Sequence, residues 1–367
     1  MRVLRIDQHS PYQQIVGVGG VGSGIFFALQ GDHTLGRNES REGELLNVRD
    51  YCKLHIVFHY VAKLLGAHAN CSVAHVVPIA MVGDDDAGRR LRQEMSEVGM
   101  DVSYVRTFSG KPSLFSVCFQ YPDGEGGNIT TNNSAAAELS DTDIDQIVPA
   151  LLTNSGKRTM AVAVPEVPLE LRRRFLQLAS SAGAFRAASF VPGEIPEARK
   201  VGLFSLLDLV ALNQMEAAKL VGVSLSADTH ELFIEACLGF LRSENSELHM
   251  LVSAGKKGAY VFDRERYNYC PAPTVRILSS AGAGDALLGG VLAGLASGIP
   301  LFRKGERALN MIETALDFGV LLATYTCLSP HTIHPLASLE TLIDFGRQVG
   351  LRFALEIERL CQGPVVQ

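Results

Sequence analysis

The sequence predicts an α/β fold in which a mostly parallel sheet is covered by helices. Short β-branched runs alternate with longer helical patterns along the chain, and such alternation is typical of βαβ units. The chain has 367 residues, of which 47% are hydrophobic and 20% charged. This length and composition are sufficient for a large buried core and exclude a disordered chain.

Each predicted element follows from its local pattern. β-Branched apolar runs predict strands at residues 14–19, 73–82, 158–164, 207–212 and 248–253. Amphipathic or small-residue patterns predict helices at residues 51–65, 87–98, 169–181, 214–221, 229–241, 284–296 and 304–323.

Two irregular segments interrupt this alternation. Residues 31–49 are polar and contain glycine, and residues 113–133 read as a short strand, a turn at 122–127 and a polar run. We expect the two segments to form one small β-rich lid, built from about 24–50 and 112–134. The alternative is that they are unrelated surface loops.

Charge and cysteine content restrict the partners and the compartment. The chain carries 33 Lys and Arg against 39 Asp and Glu, a net charge of −6, which argues against nucleic acid as a principal partner. Seven scattered cysteines favour a reducing compartment over a disulfide framework or a zinc site.

The apolar run 286–302 contains four glycines and Pro300, so it predicts a buried helix and no membrane partner. No signal-peptide pattern is visible at the start, and we expect a cytoplasmic protein.

The stretch from Ser279 to Leu292 carries the strongest chemical signal. It follows the strand-like residues 274–278 and opens an apolar helix, so Gly282, Ala283 and Gly284 would form a turn whose N–H groups can approach a phosphoryl group. Asp285 would stay ionised beside the positive end of the helix dipole and could accept a proton from a hydroxyl. The structural alternative is a tightly packed helix with an ordinary N-terminal Asp.

Three further motifs precede the Gly282–Asp285 stretch along the chain. Residues 82–88 read Val-Gly-Asp-Asp-Asp-Ala-Gly, Asn213 and Glu216 are three positions apart at a predicted helix start, and Ser253, Gly255 and Gly258 belong to a turn between two strands. Together with the Gly282–Asp285 stretch, over about residues 73–330, they resemble the signatures of the PfkB carbohydrate kinases, the ribokinase-like family. Considered alone, Asn213 and Glu216 would indicate only a helix cap.

The resemblance implies the fold, the chemistry and the roles of these residues. It implies one three-layer αβα domain over residues 1–367 and an ATP-dependent transfer of phosphate to a hydroxyl of a sugar, nucleoside or related small molecule. Asp285 would be the base, and Gly282, Ala283 and Gly284 the anion hole. ATP would contact Ser253, Gly255, Gly258 and the face of Asn213 and Glu216, and Glu216 would hold Mg²⁺ through water. The lid of this family often mediates dimer contacts, which suggests a homodimer.

The acceptor half departs from the family pattern. The stretch from Gly19 to Gly24 lacks the usual carboxylate after the first strand, and the usual Gly-Gly-x-x-x-Asn segment is absent. We therefore expect an unusual acceptor. Candidate acceptor contacts are Gly19, Arg37, Asn38 and Asn128, with Glu39, Arg41, Asn132 and Asn133 as further lid candidates.

Two alternatives remain open at this point. The first is a catalytically silent nucleotide sensor of the same fold, suggested by the missing acceptor residues. The second is an NAD-dependent dehydrogenase, because Gly17, Gly19 and Gly22 match a dinucleotide fingerprint. That fingerprint requires a helix after the glycines and then a second strand. Residues 25–29 are too short a run for the helix, and residues 31–49 offer no strand.

Overall fold

A nine-stranded sheet forms the centre of the computed structural model, which describes residues 2–68, 74–122, 126–153, 158–305, 308 and 310–361. The strands are β1 (Gln14–Val18), β2 (Gly22–Leu29), β3 (Gly43–Tyr51), β4 (His75–Gly83), β5 (Val105–Phe108), β6 (Leu114–Gln120), β7 (Gly126–Thr130), β8 (Thr159–Ala163), β9 (Phe185–Ser189), β10 (Leu209–Asn213), β11 (His249–Ser253), β12 (Ala259–Phe262), β13 (Tyr267–Cys270), β14 (Met311–Ile312) and β15 (Arg352–Phe353). The helices are α1 (Lys53–Leu65), α2 (Asp86–Glu97), α3 (Asp141–Thr153), α4 (Leu169–Ser181), α5 (Ile195–Lys200), α6 (Gln214–Val221), α7 (His230–Glu244), α8 (Ala283–Ser297), α9 (Ala315–Thr326), α10 (Leu339–Gln348) and α11 (Leu355–Leu360).

The central sheet is parallel except at one edge. Its order is β13-β12-β11-β10-β9-β8-β1-β4-β5, and only β12 and β13 run antiparallel to their neighbours. Strand β1 pairs in parallel with β4 and β8, and every residue of β1 is buried. Strands buried on both faces carry apolar residues in succession, as in the Ile-Val-Gly-Val run of β1.

Helices cover both faces of this sheet. Successive strand residues point to opposite faces, and Ile15 and Val16 of β1 accordingly belong to two separate apolar clusters. The first cluster includes buried residues of α1, α8, α9 and α10, and the second includes those of α4, α6 and α7. The predicted three-layer α/β architecture is therefore confirmed.

A small second sheet confirms the expected lid. Its order is β3-β2-β6-β7, so it combines the two segments that interrupt the alternation in the sequence. Strands β2 and β6 pair in parallel and the two outer pairs are antiparallel. Positions 123–125 of the predicted turn lie outside the described residues. The prediction that residues 31–49 contain no strand was wrong, because β3 lies at Gly43–Tyr51 and pairs with β2.

Most predicted elements agree with the structure to within a few residues, with three corrections. The helix predicted at 304–323 corresponds to α9, which begins at Ala315 because the side chains and backbones of Thr314 and Asp317 form a reciprocal cap. Positions 306, 307 and 309 of that prediction lie outside the described residues. Residues 274–278, which the sequence predicts to be strand-like, belong to no strand, and this segment borders a cavity. The helix predicted from residue 51 begins at Lys53, since Tyr51 ends β3. Of the strand predicted at 73–82, Val73 lies outside the described residues.

The apolar run 286–302 lies mostly in α8, which ends at Ser297 with Gly298 in a left-handed conformation. In the described part of the chain, no helix has the length and apolar character needed to cross a bilayer.

Candidate active site

The sequence motifs converge at the carboxyl ends of the parallel strands. Asn213 ends β10, Ser253 ends β11, and Gly282 precedes the first residue of α8. Ligands of open α/β sheets bind in the crevice at this edge. Two adjoining cavities open there, and Lys53, Ser280, Gly282 and Asp285 line both of them.

The larger cavity, of about 700 Å³, has a small-residue end and an aliphatic end. Its lining includes Asn213, Ser253, Gly255 and Gly258, together with Gly282, Ala283, Gly284 and Asp285. The side chains of Val275, Leu287 and Val320 contribute to the aliphatic part. Such a cavity matches the dual character of a nucleotide, which has a flat apolar base and charged phosphates. We call it the nucleotide cavity.

The smaller cavity, of about 270 Å³, lies between the lid and the start of α8. The lid contributes Asp50, Ser116, Cys118 and Asn128 to its lining. The central domain contributes Lys53, Glu166 and Asp285. Carboxylate, amide and hydroxyl groups predominate among these side chains, and they are suited to the hydroxyl groups of a polar small molecule. We call it the acceptor cavity.

Asp285 and Lys53 form an ion pair where the two cavities meet. The Lys53 Nζ lies 3.5 Å from Asp285 Oδ1, and the Asp285 side chain retains 14% of its exposure. Burial raises the pKa of Asp285, and the Lys53 ammonium acts in the opposite direction. The sequence predicts that the helix dipole keeps Asp285 ionised. The structure adds a second cause, the Lys53 ammonium, which favours the carboxylate form of Asp285.

Glu166 holds the backbone of Lys53 in place. Its Oε2 accepts a 3.1 Å hydrogen bond from the Lys53 backbone N–H. Burial raises the pKa of Glu166 to about 7, although Lys53 acts to lower it. The Glu166 backbone has φ of 77°, a conformation that costs a non-glycine residue about 1 kcal/mol or more and occurs preferentially at functional sites.

Asp50 is a second carboxyl group of the acceptor cavity. The residue is 5% exposed, and its Oδ2 accepts hydrogen bonds from Ser116 Oγ at 2.8 Å and Cys118 Sγ at 3.3 Å. Burial raises the pKa of Asp50, partly offset by these hydrogen bonds. Carboxyl oxygens have about four lone-pair positions, so Asp50 keeps capacity for a bound hydroxyl.

The turn before α8 contacts the C-terminal part of the chain. Gly282 caps α8 with φ of 78°, and a side chain at this position would collide with the Thr332 carbonyl. Thr332 also accepts a 3.0 Å hydrogen bond from the Tyr51 N–H at its Oγ1, and its own N–H donates to the Arg49 carbonyl. One residue therefore contacts both the end of β3 and the turn.

The N–H groups of this turn are only partly used by the protein. The Ala283 N–H donates to the Ser280 carbonyl at 3.2 Å. The helix itself supplies no acceptor for the N–H groups of Gly284 and Asp285, which belong to its first turn. These groups and the helix dipole give this end of the cavities a positive potential.

Asn213 and Glu216 form a reciprocal cap at the start of α6, the structural alternative that the sequence indicates for this pair. Asn213 Oδ1 accepts from the N–H groups of Met215 and Glu216 at 2.9 Å, and both Glu216 oxygens accept from Asn213 at 2.8 Å. Asn213 lines the nucleotide cavity, whereas Glu216 is 7% exposed and is not part of its lining. In the described residues no cluster of three or more His, Cys, Asp or Glu side chains could hold a metal ion.

The predicted acceptor contacts are only partly found near the site. Asn128 lines the acceptor cavity, and its Nδ2 donates to Thr130 Oγ1 at 3.1 Å. Gly19 is buried against Val164 and lines neither cavity. Arg37 and Asn38 are exposed and line neither cavity. The same is true of Asn132 and Asn133, while Glu39 and Arg41 pair with each other away from the lining.

Sequence reasoning missed Asp50, Lys53 and Glu166. One signal was available for Lys53, because a cation at the first position of a helix is unfavourable beside the helix dipole and the helix is otherwise strongly apolar. Asp50 stands in a polar segment that gave no sign of its position, and the left-handed backbone of Glu166 has no sequence signature.

Comparisons with known proteins identify the family and the fold of the chain. The model of the pfkB family carbohydrate kinases matches residues 58–339. The chain is 36% identical over 110 residues to the uncharacterized sugar kinase YegV of Escherichia coli (strain K12), a match that covers 30% of this chain and 32% of that protein. It is 28% identical over 230 residues to the aminoimidazole riboside kinase of Salmonella typhimurium (strain LT2), covering 58% of this chain and 66% of that protein. These two matches span less than two thirds of the relatives' lengths.

The fold has close solved counterparts. The ribokinase of Cryptococcus neoformans var. grubii serotype A in complex with ADP superposes with a TM-score of 0.71 at 18% identity, covering 90% of this chain and 99% of that one. Because the family model matches well over half of the sequence, the chain belongs to the pfkB family of carbohydrate kinases.

Proposed function

We propose that the protein transfers the γ-phosphoryl group of ATP to a hydroxyl of a sugar, nucleoside or related small molecule. One observation carries the proposal: a nucleotide-sized cavity and a smaller polar cavity meet at Asp285, at the N-terminus of α8. A kinase requires this arrangement, because the phosphoryl group must pass directly from one substrate to the other.

Each residue at the junction has a defined task in this reaction. Asp285 accepts the proton of the acceptor hydroxyl while that oxygen forms its bond to the γ-phosphorus. The bond between this phosphorus and the bridging oxygen breaks, and ADP leaves with the electron pair. The N–H groups at the start of α8 stabilise the negative charge on the phosphoryl oxygens, and small residues at Gly282, Ala283 and Gly284 permit a close approach.

The nucleotide is bound through the larger cavity. Ser253, Gly255 and Gly258 lie beside its phosphates, and the aliphatic side chains of Val275, Leu287 and Val320 contact its base. Asp285 is the only carboxyl group in the described lining of this cavity, which fits a Mg²⁺ ion held mainly by phosphate and water, the usual mode for this ion. Glu216 would hold it through water, and the ion supplies positive charge to the phosphates when it is bound.

Of the acceptor contacts expected from the sequence, this proposal keeps Asn128 and adds Asp50. Asp50 and Asn128 lie in the lid part of the acceptor cavity and take the place of the missing family carboxylate and asparagine. Gly19, Arg37 and Asn38 are not retained as acceptor contacts, because they lie outside this lining. The relatives named above suggest sugars and nucleosides as first candidates.

The lid also suggests a homodimer. Ser116 and Cys118 face the acceptor cavity, so the alternation along β6 turns Phe115 and Val117 to the opposite face. Val117 is paired with Ile25 on β2 and with Ile129 on β7. This outer lid face (Ile25, Phe115, Val117 and Ile129) is apolar and partly exposed, as expected of a surface that meets a second copy.

The central test is Asp285→Asn in an assay of phosphorylated product. Purified protein is supplied with Mg²⁺-ATP and D-ribose, D-fructose or aminoimidazole riboside, and Asp344→Asn serves as an exposed aspartate control on α10. We expect the Asp285 variant to lose about 100-fold or more of kcat, with nucleotide binding retained. Full turnover in this variant contradicts the assignment of the base. Binding of Mg²⁺-ATP with no product from any acceptor instead supports the silent sensor.

A further inference from the structure

Lys53 occupies a position that the proposed reaction does not yet explain. It is the first residue of α1 and lines both cavities, and its Nζ lies 3.5 Å from Asp285 Oδ1. This is the helix start at which the family's Gly-Gly segment is missing from the sequence. A long cationic side chain therefore stands where the family pattern has small, uncharged residues.

The surroundings of Lys53 orient its ammonium toward the junction. The Lys53 backbone N–H is bonded to Glu166 Oε2, and the side chain extends to Asp285. Its side chain keeps 31% of its exposure, so it is accessible from the cavities and is not a sealed core ion pair. Within the lining drawn from the described residues, Lys53 is the only Lys or Arg of the acceptor cavity and the only one shared by both cavities.

The charge balance at this point favours a role in catalysis. Asp285 lies near three further carboxyl groups, those of Asp50, Glu166 and Glu216, each of which is influenced by its charge. Four carboxyl groups around a site that receives an anionic phosphoryl group would oppose the reaction by like-charge repulsion. A single ammonium at the junction reduces this repulsion, and its position on both linings lets it contact the group during transfer.

We propose that Lys53 is a second catalytic residue, which keeps Asp285 as a carboxylate and contacts the phosphoryl group as it passes from ATP to the acceptor. This inference rests on the proposed function and adds to it a residue of this chain. Lys53 remains protonated throughout: the hydroxyl proton goes to Asp285, and the ammonium only donates hydrogen bonds. Its contact with the phosphoryl oxygens strengthens as the bond to ADP breaks, so it acts on kcat more than on the KM for ATP.

The experiment uses Lys53→Met, which removes the charge and keeps most of the side-chain volume. Lys63→Met is the matched control, because Lys63 lies in the last turn of the same helix and lines neither cavity. Lys53→Arg tests rescue by a different cation. Circular dichroism and thermal melting check that each variant is folded.

The first readout needs no acceptor. Isothermal calorimetry measures binding of ADP with Mg²⁺, alone and with aluminium fluoride, which imitates the phosphoryl group in transfer. We expect Lys53→Met to bind the aluminium fluoride complex about 100-fold more weakly, with ADP affinity changed by less than about threefold. Lys53→Arg should recover much of the loss and Lys63→Met should match the unaltered protein.

The second readout is the pH dependence of kcat/KM with the best acceptor of the panel. Removing the Lys53 charge leaves burial to raise the pKa of Asp285 with no ammonium to lower it. The acid limb of the profile should therefore shift to higher pH in Lys53→Met and stay in place in Lys63→Met.

These outcomes distinguish the two proposals. Equal binding of the aluminium fluoride complex by Lys53→Met and the unaltered protein overturns the role of Lys53, even where Asp285→Asn is inactive. An active Asp285→Asn variant contradicts the assignment of the base, whereas binding of Mg²⁺-ATP with no product from any acceptor overturns the proposed function. If the unaltered protein binds the aluminium fluoride complex no more tightly than ADP, the anion hole and the role of Lys53 are both wrong.

Discussion

The Ser116 hydroxyl donates a 2.8 Å hydrogen bond to the Asp50 carboxyl group across an intervening strand of the lid. Asp50 lies on β3 and Ser116 on β6, and β2 runs between them. The bond passes over Gly24 of β2, where a side chain would collide with Asp50 Oδ2 and Ser116 Oγ. The absence of a side chain at position 24 thus sets the position of a carboxyl group in the acceptor cavity.

Gly24→Ala should therefore weaken acceptor binding without altering the nucleotide cavity. The added methyl group displaces Asp50 or Ser116, and loss of a hydrogen bond to a charged group costs about 1.5–3 kcal/mol. We expect the KM for the acceptor to rise about tenfold or more and the KM for ATP to stay unchanged, as measured by steady-state kinetics. Gly193→Ala is the control, because a side chain there meets open space. An unchanged acceptor KM would show that Asp50 does not bind the acceptor.

Glu166→Gln should stabilise the protein at high pH. Burial raises the pKa of Glu166 from 4.5 to about 7, so between these values the folded state binds more protons than the unfolded state. Stability contributed by this group is thus present at low pH and lost as pH rises toward 7. We expect the Tm of the variant to exceed that of the unaltered protein at pH 8 and the difference to shrink toward pH 4.

The control for this prediction is Glu170→Gln, whose side chain is 63% exposed. Its Tm difference should show no comparable pH dependence. A Glu166→Gln variant that is less stable at pH 8, or whose Tm difference is constant across this range, contradicts the raised pKa.

Glu216→Gln separates two roles of the α6 cap. If Glu216 holds Mg²⁺ through water, removal of its charge should raise the Mg²⁺ concentration for half-maximal activity about tenfold. The variant also loses part of the reciprocal cap, so its Tm should fall. Ser338→Ala is the matched control, because it removes a side-chain cap from α10 at a cost of about 1 kcal/mol. A fall in Tm with an unchanged Mg²⁺ dependence in Glu216→Gln would identify a cap with no part in metal binding.

Ile129→Asp should dissociate a dimer formed through the outer lid face. Ile129 is 68% exposed, and Leu336, on a different part of the surface, is 69% exposed. Light scattering coupled to size exclusion should report a dimer for the unaltered protein and for Leu336→Asp, and a monomer for Ile129→Asp. A dimer that persists in Ile129→Asp places the contact elsewhere.

The fold and the motifs at the strand ends could be predicted because their signals are local. The alternation of strand and helix patterns predicted the central sheet, and each of the motifs around Asn213, Ser253 and Gly282 is a short segment at the end of a strand or the start of a helix. The positions of their backbones depend mainly on neighbouring residues, so a single sequence contains the required information. The start of α9 at Ala315 is also encoded locally, by the Thr314–Asp317 cap.

The acceptor side could not be predicted in the same way. Asp50, Lys53 and Glu166 come from three different elements, and only packing of the lid on the central domain places them around one cavity. The polar residues around Arg37 and Asn38 looked equally suitable by composition, yet they lie on the exposed side of the lid. Composition identifies polar side chains, whereas tertiary structure decides which of them face a ligand.

The double contact of Thr332 links two parts of the site that are distant in sequence. Its hydrogen bonds hold the end of β3, and its carbonyl packs on Gly282. A shift of β3 that breaks those hydrogen bonds also releases the peptide against which the Gly282 turn is packed. Under the proposed function, a displacement of the lid strand would therefore also reach the N–H groups before Asp285, so the two cavities are not structurally independent.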